Sequence, residues 1–191
     1  MNKSERTARS KRLAFLLRHS PESAGLSLDR EGWAPVGAVL AALELSRADL
    51  EELVRLDAKG RYQFEGQRVR AVQGHSTAQV DREFEEREPP ERLFHGTTSA
   101  VLDAILAEGL RPMDRHWVHL SPDEKTARAV GSRHVKRGAK LVVLAIDAAA
   151  MRRDGERFYL AENGVWLVAS VLPRYLSPIA GTDKDGIASA G

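Results

Sequence analysis

The chain has 191 residues, with 29 Lys and Arg against 27 Asp and Glu, six His, no Cys and 42% hydrophobic residues. That length fits one domain or two small lobes, and the balance of apolar and charged residues excludes a disordered chain. Without cysteine there is no disulfide, iron–sulfur cluster, thiolate zinc site or cysteine nucleophile, and no apolar stretch approaches the ~20 residues of a membrane span, so a cytoplasmic protein is expected.

The N-terminal stretch is basic: Lys3, Arg6, Arg9, Lys11, Arg12 and Arg18 face the single acid Glu5. Leu13, Leu16 and Leu17 fall at helical spacing and predict a helix over 6–18. Ser20-Pro21 ends it, because the residue before proline avoids the helical region. Pro35 opens a second, Ala-rich helix to Leu45, and Ser46 caps a third through Leu56. Tyr62-Gln63-Phe64, Glu65-Gly66-Gln67 and Arg68 to Val72 read as a hairpin around a glycine turn. Helices followed by a hairpin are the order of a winged-helix-like lobe, assigned to residues 1–88. The mixed-sign stretch Asp81 to Arg92, with Pro89-Pro90, reads as a hinge.

A second lobe, residues 89–180, opens with Leu93-Phe94-His95 as a strand running into a turn at Gly96-Thr97. A helix over 100–107 stops at Gly109. Trp117 to Ser121 alternates, which puts Trp117, His119 and Ser121 on one face. Ser121-Pro122-Asp123-Glu124 reads as an N-cap, a proline at N1 and a capping-box glutamate, opening a helix to about Val130. Leu141 to Asp147 is a buried strand, and Asn163-Gly164 turns the chain before Val165 to Val168. Residues 181–191 read as a flexible tail. The fold class expected is α+β.

Neither a G-x-G-x-x-G nor a G-x-x-x-x-G-K-[ST] signature is present. His116-x-x-His119 lacks a third ligand, so no metal site is assigned. Arg18-His19 at a helix end either complements the negative end of the dipole or grips an anion. Arg61 and Arg115, each taken alone, are surface arginines. Gln73-Gly74-His75-Ser76 is either a plain loop or a polar lining, and His95-Gly96-Thr97 is either a buried structural histidine or a place where backbone amides meet a ligand.

Taken in order, six motifs resemble the NAD-dependent RNA 2′-phosphotransferases, which finish tRNA splicing in fungi and also occur in bacteria. They are Leu16-Leu17-Arg18-His19, Gly60-Arg61-Tyr62, Arg70 to Ser76, His95-Gly96-Thr97, Met113 to Ser121, and Asn163 to Leu167, and the resemblance runs from Leu13 to Leu176. Trp117 departs from the histidine common there, and Val72 from asparagine.

The resemblance implies an N-terminal winged-helix-like lobe, a C-terminal ADP-ribosyltransferase-like β-rich lobe, and a site in the cleft between them. It implies a reaction in two steps: the internal 2′-phosphate of an RNA attacks C1″ of the nicotinamide ribose of NAD, then the ribose O2″ attacks that phosphate. The products are 2′-OH RNA, ADP-ribose 1″,2″-cyclic phosphate and nicotinamide. The catalytic tetrad carries over to Arg18, His19, Arg61 and Arg115. The transferase-fold triad carries over to His95, His119 and Val165, and Gly96, Thr97 and Ser121 are expected to join them in binding NAD. The implied partners are NAD and a tRNA-like RNA, with the chain acting as a monomer. Val165 stands where many ADP-ribosyltransferases carry Glu, and an anionic acceptor needs no such base, although Glu162 lies close in sequence. The competing readings are ADP-ribosylation of nucleic-acid terminal phosphates and a non-catalytic winged-helix RNA-binding protein. Replacing Arg61 by alanine is expected to stop turnover without unfolding the chain.

Overall fold

The computed structural model describes residues 2–136 and 138–179. The expected tail, 181–191, lies outside them. The fold is α+β, with two hydrophobic clusters built from successive parts of the chain.

Helix α1 (Lys3–Arg18) begins three residues earlier than its leucine spacing predicts, because Asn2 and Glu5 form a reciprocal capping box. Its Leu13, Leu16 and Leu17 are completely buried. They pack with Val36 and Val39 of α2 (Val36–Leu43) and Leu50 of α3 (Arg47–Arg55). Ser46 caps α3 by accepting from the Asp49 amide, as its sequence predicts. Pro35 is the residue before α2 and not its first turn, since β1 (Trp33–Pro35) already pairs with a neighbour. The hairpin is β2 (Tyr62–Glu65) and β3 (Arg68–Ala71), turned at Gly66 with φ +58°. With β1 it makes an antiparallel sheet of order β1-β3-β2.

The second cluster lies between two further sheets. One has the order β10-β7-β5, from β5 (Arg92–Thr98), β7 (Leu141–Asp147) and β10 (Leu176–Ile179). The other has the order β4-β8-β9-β6, from β4 (Glu85–Glu86), β6 (Val118–Leu120), β8 (Tyr159–Leu160) and β9 (Trp166–Val168). Leu93, Leu144 and Ile146 from the first sheet meet Leu120, Trp166 and Val168 from the second. Helices α4 (Leu102–Glu108), α5 (Glu124–Gly131) and α6 (Ala148–Arg153) complete this part.

Three local expectations are corrected. Residues 92–98 form one continuous strand, so His95-Gly96-Thr97 is not a turn: β5 pairs with β7 along its whole length. The cap of α5 is Asp123, whose carboxylate accepts from the Thr126 amide and hydroxyl. Ser121 cannot cap it, because its backbone exchanges both hydrogen bonds with Phe94, at 2.7 and 2.9 Å. The stretch Asp81 to Arg92 is pinned rather than loose, with Val80 just before it and Arg82 within it both buried and β4 paired to β8.

Candidate active site

The site grows from the C-terminal end of α1. Arg18 closes the helix and His19 is its C-cap. The Arg18 side chain is held among protein atoms, yet its Nε and Nη2 have no hydrogen-bond partner. A buried donor left unpaired costs about 1–3 kcal/mol, more when charged, so this guanidinium is built to receive an acceptor. Burial is the main reason its pKa falls to about 10. Arg115 and Arg61 push the same way, while Tyr62 and Asp57 oppose them.

Arg61 follows α3. Its Nε donates to Asp57 Oδ1 at 2.9 Å, its Nη2 to Ser10 Oγ at 3.1 Å, and its backbone amide to Asp57 Oδ2 at 2.5 Å. The Asp57 carboxylate is 3% exposed and aims the arginine. Arg115 comes from the loop before β6, and partial burial lowers its pKa. His19 is lowered by loss of hydration first, then by Arg115 and Arg18, against Asp114. Three arginines from separate stretches of the chain thus set a positive field around His19, and a dianion there would relieve their mutual repulsion.

The neighbouring histidines have the opposite character. His119 on β6 has a buried Nε2 without a partner. Burial, with Arg115 and Arg18 adding to it, holds its pKa near 3, so the ring is neutral at pH 7. His95 on β5 is likewise lowered, chiefly by burial. Its Nδ1 lies 3.2 Å from the His119 carbonyl. A carbonyl only accepts, so Nδ1 carries the proton and Nε2 keeps a lone pair. A recess lined by Gly74, His75, His116 and His119 lies at this side of the site.

The remaining expected residues are placed differently. Thr97 is 6% exposed within β5. Gly96 faces α5 so closely that a Cβ there would stand 2.0 Å from the Ala127 carbonyl. Its lack of a side chain serves helix packing. Ser121 is tied to Phe94 through its backbone, and Val165 precedes β9, its carbonyl accepting from the Ala161 amide at 2.9 Å. The amide end of α5 is already capped by the Asp123 carboxylate, which leaves it poorly suited to an anionic ligand.

Glu162 is settled by its partners. Its carboxylate takes Arg70 at 3.0 Å and also pairs with Arg82, with Glu31 adding to the cluster. Two guanidiniums take the Oε1 of this acid, so Glu162 is tied into an ion-pair cluster rather than standing free. Sequence reasoning missed Asp57, Ser10 and the Arg70–Arg82–Glu162 cluster. Only Asp57 left a trace, an acid four residues before Arg61.

Three arginines that act on one another beside neutral histidines, in a two-core α+β molecule, are the chemistry that suits a phosphate-bearing ligand. Residues 4–170 match the family model described as RNA 2'-phosphotransferase, Tpt1 / KptA family. The chain is 47% identical over 174 residues to a probable RNA 2'-phosphotransferase of Burkholderia lata, covering 87% of this chain and 88% of that one. It is 45% identical over 182 residues to the RNA 2'-phosphotransferase of Escherichia coli K12, covering 92% and 97%. The chain belongs to the RNA 2′-phosphotransferase family, a family of transferases.

Proposed function

We propose that this protein removes an internal 2′-phosphate from RNA and passes it to NAD, by way of an ADP-ribosylated RNA. The observation that carries the reading is the buried, unpartnered face of the Arg18 guanidinium beside His19, Arg61 and Arg115. NAD supplies the electrophilic ribose carbon and leaves as nicotinamide and ADP-ribose 1″,2″-cyclic phosphate.

A 2′-phosphomonoester is close to a dianion at pH 7, and guanidinium forks bind its oxygens two at a time. Arg18, Arg61 and Arg115 hold that charge in the ground state. They hold it more strongly when charge on the equatorial oxygens rises in the second displacement. His19, at the same phosphate, donates a proton to the departing RNA O2′.

Two features support NAD as co-substrate. The lowered pKa of His95 and His119 keeps both rings neutral at pH 7, and among the described residues His119 Nε2 has no hydrogen-bond partner. A neutral imidazole suits ribose hydroxyls or a carboxamide, whereas the cationic pocket suits phosphate, so the two ligands are sorted by charge. The pairing of Glu162 with Arg70 and Arg82 also argues against that acid as a general base. An anionic nucleophile needs none, and a carboxylate would repel it. In this reading residues 1–88 are the winged-helix-like RNA lobe and 89–180 the ADP-ribosyltransferase-like NAD lobe. The protein works in the cytoplasm as a monomer.

The test is incubation with NAD and a short RNA bearing one internal 2′-phosphate, the products being resolved by mass. The expected products are 2′-OH RNA and ADP-ribose cyclic phosphate. RNA recovered unchanged, from protein shown to be folded, would sink the reading. Accumulated ADP-ribosylated RNA, or modification of a 5′-phosphorylated control alone, would redirect it to terminal-phosphate ADP-ribosylation.

A further inference from the structure

The loop after β3 folds back over the end of α1 and holds it at three points. The amides of Ser76 and Thr77 both donate to the Arg18 carbonyl, at 2.8 and 3.2 Å. That oxygen belongs to the last turn of α1, where carbonyls have no partner within the helix. Gly74, at φ +91°, lies against the Arg18 guanidinium, three of whose atoms stand 3.6 Å from where a Cβ would be. The third point is a side chain: Ser76 Oγ lies 2.9 Å from His19 Nδ1.

His19 needs such a hold. It stands just past the helix with a non-helical backbone, φ −121° and ψ −48°, and its side chain is exposed. Its ring has one other neighbour of note, the Phe15 ring at 6.2 Å and tilted by 44°. Among the described residues the Ser76 hydroxyl is the ring's hydrogen-bond partner. Without it, an exposed imidazole turns about its side-chain bonds and exchanges its proton between two nitrogens.

We propose that Ser76 is a positioning residue for His19: its hydroxyl occupies Nδ1 and so presents Nε2 to the phosphate gripped by Arg18, Arg61 and Arg115. The proposal rests on the phosphate reading of this site. A serine hydroxyl suits the task because its oxygen accepts from Nδ1–H. When the ring is neutral in this tautomer, Nδ1–H donates to Oγ and Nε2 keeps a lone pair. When the ring is doubly protonated, the same Nδ1–H still donates to Oγ and Nε2–H is the proton to be given. The ring keeps its partner in both states, so Nε2 can lose or regain a proton while the ring plane stays fixed. The groups acting on that ring are Arg115 and Arg18, which oppose its protonation, and Asp114, which favours it.

Ser76→Ala and Ser76→Thr test this. Misplacing a catalytic group costs up to about 100-fold, and for Ser76→Ala the loss should fall on kcat with KM for the RNA little changed. Ser76→Thr, which keeps the hydroxyl, should recover most of kcat. The melting temperature should stay put in both, because the backbone amides of residues 76 and 77 still hold Arg18. A second readout needs no turnover. Long-range 15N–1H correlation of the His19 ring at pH 8, assigned with a His19→Asn variant, should give one tautomer in the wild type. In Ser76→Ala it should give an averaged mixture.

An unchanged tautomer together with unchanged kcat in Ser76→Ala would overturn the proposal. So would a matching loss of melting temperature and activity that threonine fails to rescue. A shifted tautomer in a protein whose wild type leaves 2′-phosphorylated RNA untouched would uphold the positioning and reject the function.

Discussion

At the scale of one residue, Arg61 carries two duties that its sequence context hides. The motif Gly60-Arg61-Tyr62 marks it for chemistry, and alanine there is expected to stop turnover while leaving the fold alone. Asp57 changes the second half of that expectation. Its carboxylate is buried and satisfied by Arg61, so Arg61→Ala strands a charge away from water. The expected loss is about 2 kcal/mol, below that of a fully buried pair because the Arg61 amide still donates to Asp57. The double variant Asp57→Asn/Arg61→Ala should recover most of this in urea melts and still fail to turn over. A single variant as stable as the wild type would show that Asp57 does not anchor the arginine.

The buried histidines make a prediction on the same scale. His75 and His119 have pKa values near 3 in the folded chain, with burial as the main cause, against an ordinary 6.5. Below pH 6.5 the unfolded chain takes up protons that the folded one refuses. Their contribution is therefore complete above pH 6.5 and drains away as pH falls toward 3. Two such groups lower stability by about 2–3 kcal/mol between pH 7.5 and 5.5. Urea titration at those two pH values measures it, and equal midpoints would mean that neither ring is held neutral.

At the scale of elements, a local signal carried the reading of α1 (leucine spacing), α3 (the Ser46 cap), the β2–β3 hairpin (its glycine turn) and β7 (an unbroken apolar run), because each is written in a few consecutive residues. It did not carry β4 or β8, two residues each, which are defined by sheet pairing alone: β4 with β8, and β8 with both β4 and β9. Nor did it carry β10, an edge strand interrupted by Pro178. The role of Gly96 was illegible for another reason: it depends on Gly131, far along the chain. In β5 and α5 these two glycines meet, and a Cβ on Gly96 would lie 2.0 Å from the Ala127 carbonyl and 2.8 Å from the Gly131 amide. Backbone blocks it on both sides, so Gly96→Ala must push α5 off the sheet. Overpacking of that kind costs about 1–3 kcal/mol or more. Thermal melts should show the loss even without ligand, which separates it from an effect on ligand binding alone. An unshifted melt would place the glycine's importance in ligand approach instead.

At the scale of the whole molecule, the site draws on both hydrophobic clusters, so something must hold them in register. Arg70 on β3 and Arg82 in the connecting segment are each about one-twelfth exposed, and both pair with Glu162 in the turn before β9. The next residue, Asn163, donates to the Lys59 carbonyl at 3.3 Å, two residues from Arg61. The turn that leads to Val165 is thereby fastened to the strand and loop that aim Arg61. The sequence pointed to Glu162 as a candidate base by proximity alone, since nothing local says which way its side chain faces. Glu162→Gln distinguishes base from fastening. A fastening keeps an oxygen acceptor for Arg70 and Arg82 but loses the charge, so stability should fall by about 1–2 kcal/mol. The penalty is moderate because Glu162 is itself 42% exposed and Glu31 remains nearby. Turnover should fall only a few-fold, through looser placement of Arg61, with Glu162→Ala worse on both counts. A general base would give the reverse pattern: unchanged urea melts and a loss of about a hundredfold or more in kcat for Glu162→Gln. That reversed result would restore the carboxylate to the chemistry and remove the argument that the acceptor arrives already as an anion.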